Sequence, residues 1–165
     1  MASEDGVATF HKAVVVSDWY SRFCCEVNGM PSLAADETTG PSRDRLYAAW
    51  PDVRMGRGEI RFAYSSDKGM TWSKSVVISD DLPRGAPGLG PDNFMPVLAV
   101  NRNGVVGATW YDSRDHADGL GWSVRFSASF DGGETFLPSV RPAAARRSKE
   151  RRCPSIRTRS PPAIR

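Results

Sequence analysis

The chain has 165 residues, and its 22 lysine and arginine residues outnumber its 19 aspartate and glutamate residues to give a formal net charge of +3. Nine basic residues and one acidic residue lie within 141–165, so residues 1–140 carry a net charge of −5 (13 basic against 18 acidic). No apolar run is long enough to span a bilayer, and three cysteines are too few for a disulfide framework.

A turn pattern, here called the Asp box, occurs three times: Ser, any residue, Asp, any residue, usually Gly, any residue, Thr and an aromatic residue. Its aspartates are 62 and 64 residues apart (67 − 5 and 131 − 67), and such a period indicates a repeat architecture. The Asp caps a tight turn and glycine supplies its positive φ, so Val7 in the first copy predicts a strained or differently shaped turn. The aromatic residue starts the next strand and should be buried in it. The structural residues of the three boxes are Ser3, Asp5, Thr9 and Phe10; Ser65, Asp67, Gly69, Thr71 and Trp72; and Ser129, Asp131, Gly133, Thr135 and Phe136.

Further blocks recur in the same order around these boxes. Residues 9–18 match 71–80, 30–36 match 95–101, 50–54 match 110–114, and 60–64 match 124–128. Each block is short and bounded by Gly, Pro, Asn or Asp, and no segment shows a sustained apolar period of 3.6 residues. The sequence therefore predicts an all-β chain with four antiparallel strands per repeat and almost no helix, which is typical of β-propeller blades.

The three Asp boxes, together with the blocks Met30-Pro31-Ser32-Leu33-Ala34 and Trp50-Pro51-Asp52-Val53-Arg54, resemble the Asp-box (bacterial neuraminidase repeat) propellers of the sialidase superfamily, in particular the bacterial exo-α-sialidases. The resemblance covers residues 3–140. It implies a six-bladed parent that releases terminal sialic acid from glycans, of which this chain would hold only two blades and be inactive alone. A non-catalytic propeller that binds glycans or proteins is the alternative, because a fold does not determine a function.

The repeat divides the chain into four predicted regions. These are the end of a preceding blade plus its link (1–30), a complete blade plus its link (31–92), most of a second blade (93–140) and a disordered Arg/Pro-rich tail (141–165). The composition changes in the middle of an expected strand, which favours a frameshift as the origin of the tail; an arm that binds nucleic acid or a membrane surface is the alternative. We expect no nucleic-acid partner unless the tail is genuine. Open blade edges predict self-association.

The candidate site residues lie in the two Trp-x-Asp-x-Arg loops. In a four-stranded meander these loops and the links between blades lie on the face opposite the Asp boxes, where propeller ligands bind. The resemblance implies an arginine cluster for the sugar carboxylate, for which Arg54 and Arg114 are candidates, and an acid/base aspartate, for which Asp112 and Asp115 are candidates. The alternatives are salt bridges of the arginines to Asp52 and Asp112, and loop capping by the aspartates.

Other parts of a sialidase site are not recognisable. The Phe/Tyr-Arg-Ile-Pro motif is absent, and no Tyr/Glu pair can be assigned as nucleophile and base. Trp50 and Trp110 either pack between blades or form a sugar platform. His116 lies in an Asp-rich loop that lacks the spacing of a calcium loop, so we predict no metal and no other cofactor. A sialylated glycan or another carbohydrate is the expected ligand.

The cysteines and the first residues bear on cellular location. Cys24, Cys25 and Cys153 have no pairing pattern and are predicted to be free thiols. The chain starts without a basic region or an apolar run, so no signal peptide is predicted in it. Proteins of the resembled type are often exported, and secretion of the parent stays open.

Overall fold

The computed structural model describes residues 3, 5–20, 30–82, 90–116 and 121–143, which form two antiparallel β-sheets and no helix. The first sheet contains β1 (Ser32–Ala35), β2 (Leu46–Asp52), β3 (Glu59–Ser65) and β4 (Val76–Val77) in this order, and the second contains β5 (Asn93–Val100), β6 (Val106–Asp112) and β7 (Ser123–Ser129). The predicted all-β fold class is confirmed, and the two sheets are consistent with two blades of a β-propeller. No described element could cross a membrane as a helix. The three cysteines and residues 144–165 of the tail lie outside the described residues.

The two sheets repeat one strand register. A residue of the first sheet has its equivalent in the second sheet 65 positions later in the first strand, 60 in the second and 64 in the third. Residues that pair across two strands of the first sheet have equivalents that pair in the second sheet. Val140 forms an isolated bridge to β7 at the position that β4 occupies beside β3. Equivalent pairs are Leu33–Ala48 and Leu98–Ala108, and Phe62–Val76 and Phe126–Val140.

The core lies between the two sheets, where alternate residues of each strand point toward the facing sheet. Each large apolar side chain buried there stabilises the fold by about 1.5–3 kcal/mol. Trp50 and Trp110 are both buried, so packing is the arrangement found for the two tryptophans. The core consists of Tyr47, Ala49, Ile60, Phe62 and Ile78 from the first sheet and its flank, and Leu98, Val106, Ala108 and Trp110 from the second.

All three Asp boxes fold into the same turn. In the second box, Ser65 Oγ donates to Asp67 Oδ1 (2.7 Å), Gly69 N–H donates to Ser65 Oγ (2.8 Å), and the N–H and Oγ1 of Thr71 donate to the two oxygens of Asp67 (2.8 and 2.5 Å). The same four hydrogen bonds occur in the boxes of Asp5 and Asp131. The bonds from the threonine hydroxyl, the threonine N–H and the serine hydroxyl lower the pKa of each of the three carboxyl groups to about 2.

The first box differs from the other two in strain and burial. Val7 has a φ of +68° and donates its N–H to Ser3 Oγ (2.9 Å), so this turn keeps the common shape and carries the strain of a β-branched residue in the left-handed region. Trp72 and Phe136 are half-buried against apolar clusters, so the predicted burial holds for them in part. The expectation is wrong for Phe10, which is 55% exposed because it does not pack into either cluster.

The third box also touches the first sheet. A Cβ on Gly133 would lie 2.8 Å from Phe62 Cζ, and a Cβ on Gly132 would lie 2.0 Å from Ser42 Oγ. Arg45 Nη1 donates to the carbonyl of Gly132 (2.8 Å). The two glycines thus allow the close approach of the sheets as well as the turn.

Candidate functional site

The two Trp-x-Asp-x-Arg loops follow the ends of β2 and β6, at the end of each sheet opposite the Asp boxes. Asp52 Oδ1 accepts the N–H of Arg54 (2.9 Å), and Asp112 Oδ1 accepts the N–H of Arg114 (2.7 Å). A side chain that accepts the N–H two residues ahead closes an Asx-turn. Asp52 and Asp112 are both fully buried, and each caps its loop.

The side chains of the two loops form the salt bridges predicted as the alternative to an arginine cluster. Arg54 donates from Nε and Nη2 to the two oxygens of Asp52 (2.8 Å each), a bidentate pair. Arg114 Nε donates to Asp112 Oδ2 (2.7 Å). Burial raises the pKa of Asp52, but the hydrogen bonds and charge of Arg54 outweigh it, so the pKa is lowered overall. The carboxylate of Asp52 therefore stays charged beside Arg54.

Each arginine also reaches a second segment. Arg54 Nη2 donates to the carbonyl of Asp18 (2.6 Å), and its guanidinium lies 4.9 Å from the ring centroid of Tyr20. Arg114 Nη2 donates to Asp80 Oδ1 (2.7 Å), in the link that follows β4. Asp80 in turn accepts the N–H and Oγ of Ser139 (2.6 Å each). Both loops are thus joined to neighbouring parts of the chain.

Asp115 and His116 occupy the loop after Arg114. Asp115 accepts two hydrogen bonds from Arg125 Nη2 (2.9 Å each), and Arg141 Nη1 lies 3.9 Å from it. His116 Nε2 lies 3.3 Å from Ser123 Oγ. Within the described ranges, no three His, Cys, Asp or Glu side chains come together as potential metal ligands.

A buried charged cluster on the same face was not predicted from the sequence. Arg57 Nη1 donates to Asp81 Oδ2, and its Nη2 donates to Glu59 Oε1 (3.2 Å). Asn93 Nδ2 donates to Asp81 Oδ1 (2.8 Å), which ties the cluster to the start of β5. Burial raises the pKa of Asp81 although Arg57 lies beside it. The loop of Arg57, the link that contains Asp81 and the start of β5 come together only when the two sheets pack. The spacing of these residues along the chain therefore does not predict the cluster.

The structure does bring a tyrosine and a glutamate together, on the opposite face. Tyr64 Oη donates to Glu134 Oε1 (2.8 Å), and Arg45 Nη1 lies 3.1 Å from the same oxygen. Tyr64 lies five positions along β3 from Glu59, or about 17 Å at about 3.4 Å per residue. This pair is therefore on the Asp-box side and does not share a site with Arg54.

A scan against protein-family models gives no match, and no curated protein matches the chain. Among solved structures, the Hadza microbial sialidase Hz136 is similar with a TM-score of 0.53 and 16% sequence identity, over 67% of this chain and 25% of that one. The two proteins share a fold over this range. A protein of unknown function from Dyadobacter fermentans DSM 18053 matches with a TM-score of 0.46 and 22% identity, over 59% of this chain and 24% of that one. The matched part of the chain thus spans about a quarter of the length of each.

Proposed function

We propose that the chain is part of an Asp-box β-propeller of the exo-α-sialidase type, and that its loop face contributes to a site for a sialylated glycan. The fold shared with the sialidase Hz136 carries this proposal. It is supported by the four hydrogen bonds that all three Asp boxes share. The equivalent Asp-x-Arg loops, which hold one arginine per sheet on the same face, also support it. A guanidinium group binds a carboxylate with planar, bidentate geometry, and the carboxylate is what distinguishes sialic acid from neutral sugars.

Arg54 is the better placed of the two arginines for a ligand. Its Nε and Nη2 are engaged by Asp52 and Asp18, and 25% of its side chain remains exposed. Arg114 is held between Asp112 and Asp80 and is less exposed. In this proposal Arg54 contacts the sugar carboxylate, while Arg114 shapes the loop beside it.

Hydrolysis is not proposed for this chain alone. Asp112 is fully buried against Arg114 and orients that side chain, so Asp115, which is partly exposed, is the better acid/base candidate. The Tyr64–Glu134 pair of the described residues lies on the other face. A complete sialidase centre would need a nucleophile on the loop face, and we propose that the chain binds without cleaving.

A non-catalytic binding propeller is the second candidate. It is favoured by the ion pairs that Arg54 and Arg114 form with the aspartates of their own loops. These pairs stiffen the loops, and they reduce the net positive charge with which a catalytic site would bind its substrate. The two candidates agree that a ligand binds on the loop face. They differ in whether the parent protein cleaves it.

The test compares sialyllactose with lactose by saturation-transfer NMR and calorimetry, together with a fluorogenic sialoside as the hydrolysis assay. Wild-type chain should bind sialyllactose and not lactose. Arg54→Lys, which keeps the charge beside Asp52 but loses the planar fork, should weaken binding at least about tenfold. Arg43→Met removes an exposed arginine on the Asp-box side and should leave binding unchanged. Equal binding of the two sugars, or full affinity in Arg54→Lys, would contradict the proposal, and turnover of the sialoside would contradict the absence of cleavage.

A further inference from the structure

One face of the second sheet is built like a buried face of the first sheet and yet stays exposed. Ile60 and Phe62 of β3 are completely buried under the second sheet. Their equivalents in β7, 64 positions later, are Val124 and Phe126, which are 41% and 37% exposed. Val97 of β5 lies on the same face and is 59% exposed. By the internal repeat, the outer face of β5–β7 is a face that another sheet covers.

The outer face of the first sheet is in turn equivalent to the face of the second sheet that is buried against the first. Leu98 and Ala108 of the second sheet are buried against the first sheet. Their equivalents Leu33 and Ala48 lie on the outer face of the first sheet, where Leu33 is 70% exposed. The outer face of β1–β4 therefore corresponds to the face with which the second sheet covers the first. Among the described residues, no sheet packs on this face or on the outer face of β5–β7.

A cavity marks the place where a sheet would lie against this covering face. It has a volume of about 450 Å³ and opens between β1–β2 and residues 11–16. Val16 packs on the cluster of Ala48, Trp50 and Ala63 in the same way that Ile78, 62 positions later, packs with Ala108 and Trp110. Residues 14–16 thus lie where the outermost strand of a sheet packed on this face would lie, and the cavity is large enough to begin to admit further strands beside them. Its apolar walls include Val14, Leu33, Leu46, Met70 and Trp72.

We propose that the outer face of β5–β7 binds the outer face of β1–β4 in a second copy of this chain, head to tail, which repeats between chains the contact that joins the two sheets within one. We infer a second copy because the internal repeat predicts that the outer face of β5–β7 is covered by a face like the outer face of β1–β4. Every copy of this chain exposes such a face. Two different faces meet in such a contact, so it is heterologous and closes into a ring or extends into a chain of copies. The inference rests on the fold alone and does not depend on the proposed glycan site.

The outermost strand determines how the copies fit. The receiving copy is the one that contributes its β1–β4 face, and the incoming copy contributes its β5–β7 face. Residues 14–16 of the receiving copy and residues 137–140 of the incoming copy would both lie beside β7 of the incoming copy, where only one of them fits. Val140 is joined to Phe126 by one bridge with hydrogen bonds of 2.8 and 2.9 Å. The incoming copy gives up this bridge, and Val14 of the receiving copy pairs with Phe126, as Val76, its equivalent 62 positions later, pairs with Phe62.

The test uses one charged substitution on each face and measures mass by sedimentation and light scattering. Val97→Glu changes only the β5–β7 face, Leu33→Glu changes only the β1–β4 face, and Phe130→Glu changes an exposed residue in the third Asp box as the control. All three positions are exposed in a single copy, and far-UV circular dichroism verifies the fold of each variant. Wild type and Phe130→Glu should assemble. Val97→Glu and Leu33→Glu should each assemble at least about 100-fold more weakly, because each buries a carboxylate without a partner.

The decisive result is the mixture of the two face variants. A head-to-tail contact predicts that Val97→Glu and Leu33→Glu combine into a one-to-one dimer that grows no further, since each supplies the intact face that the other lacks. A symmetric contact predicts that only one of the two variants is impaired and that mixing restores nothing. The proposal is overturned by such a symmetric pattern, by a wild type that is monomeric at about 100 μM, or by assembly that neither substitution weakens.

Discussion

Tyr64 donates its hydroxyl to Glu134 Oε1 at 2.8 Å and joins the end of β3 to the third Asp box, 70 positions later in the chain. The guanidinium of Arg45 lies 4.6 Å from the centroid of the Tyr64 ring and 3.1 Å from the same glutamate oxygen. A phenol, a carboxylate and a guanidinium thus link the two sheets on the Asp-box face. The hydrogen bond to Glu134 raises the pKa of Tyr64.

Tyr64→Phe should lower the free energy of unfolding by about 1 kcal/mol at pH 8, because it removes this hydrogen bond and leaves the ring beside Arg45. The raised pKa means that the stabilisation is complete below the ordinary tyrosine pKa of about 10 and is lost as the pH rises through the higher folded-state value. Urea unfolding at pH 8 and pH 11 measures both effects. Tyr111→Phe, at a half-exposed tyrosine, is the control. Equal alkaline losses in wild type and Tyr64→Phe would show that the bond does not stabilise the fold.

Gly133→Ala should destabilise the fold more than Gly6→Ala, although both glycines lie in Asp boxes and have positive φ values of 93° and 70°. A Cβ at Gly133 meets Phe62 Cζ at 2.8 Å, whereas a Cβ at Gly6 meets nothing within 4 Å. We expect a loss of about 1 kcal/mol for Gly6→Ala from backbone strain, and about 2–4 kcal/mol for Gly133→Ala from strain plus overpacking. Thermal unfolding of the two variants checks the difference. Equal losses would mean that Phe62 moves aside freely.

The repeat made the local structure of the chain predictable, but it did not predict the contacts between the two sheets. The Asp boxes and strand blocks are local patterns, so the turns at Asp67 and Asp131 and the all-β fold class follow from the residue order. The pairing of Arg54 with Asp52 could also be foreseen, because an Asx-turn brings residues two apart together. Contacts such as Tyr64 with Glu134 depend on how two sheets pack, and no spacing along the chain encodes that distance.

Asp67→Asn should reduce the sensitivity of the protein to acid. Hydrogen bonds from the hydroxyl and N–H of Thr71, and from Ser65, lower the pKa of Asp67 to about 2. A lowered pKa gives stability that is present above the unfolded-state pKa of about 4 and is lost as the pH falls through about 2. Wild type should therefore lose more stability than Asp67→Asn between pH 4 and pH 2, as measured by urea unfolding across that range. Asp44→Asn, at an exposed residue paired loosely with Arg43 at 3.8 Å, should follow the wild-type curve; a parallel curve for Asp67→Asn would contradict this account.

Arg57→Met should cost about 3–5 kcal/mol of unfolding free energy, because it leaves the carboxylate of Asp81 buried without its cation. Arg43→Met, at an exposed pair, should cost less than about 1 kcal/mol. Burial already raises the pKa of Asp81, and a raised carboxyl pKa means that protonation favours the folded state. Arg57→Met should therefore regain stability as the pH falls from 7 to 5, while the double variant with Asp81→Leu should lose less than the two single variants together. A double-mutant cycle by urea unfolding at both pH values measures this coupling. Additive losses without recovery at pH 5 would show that the two side chains are not coupled.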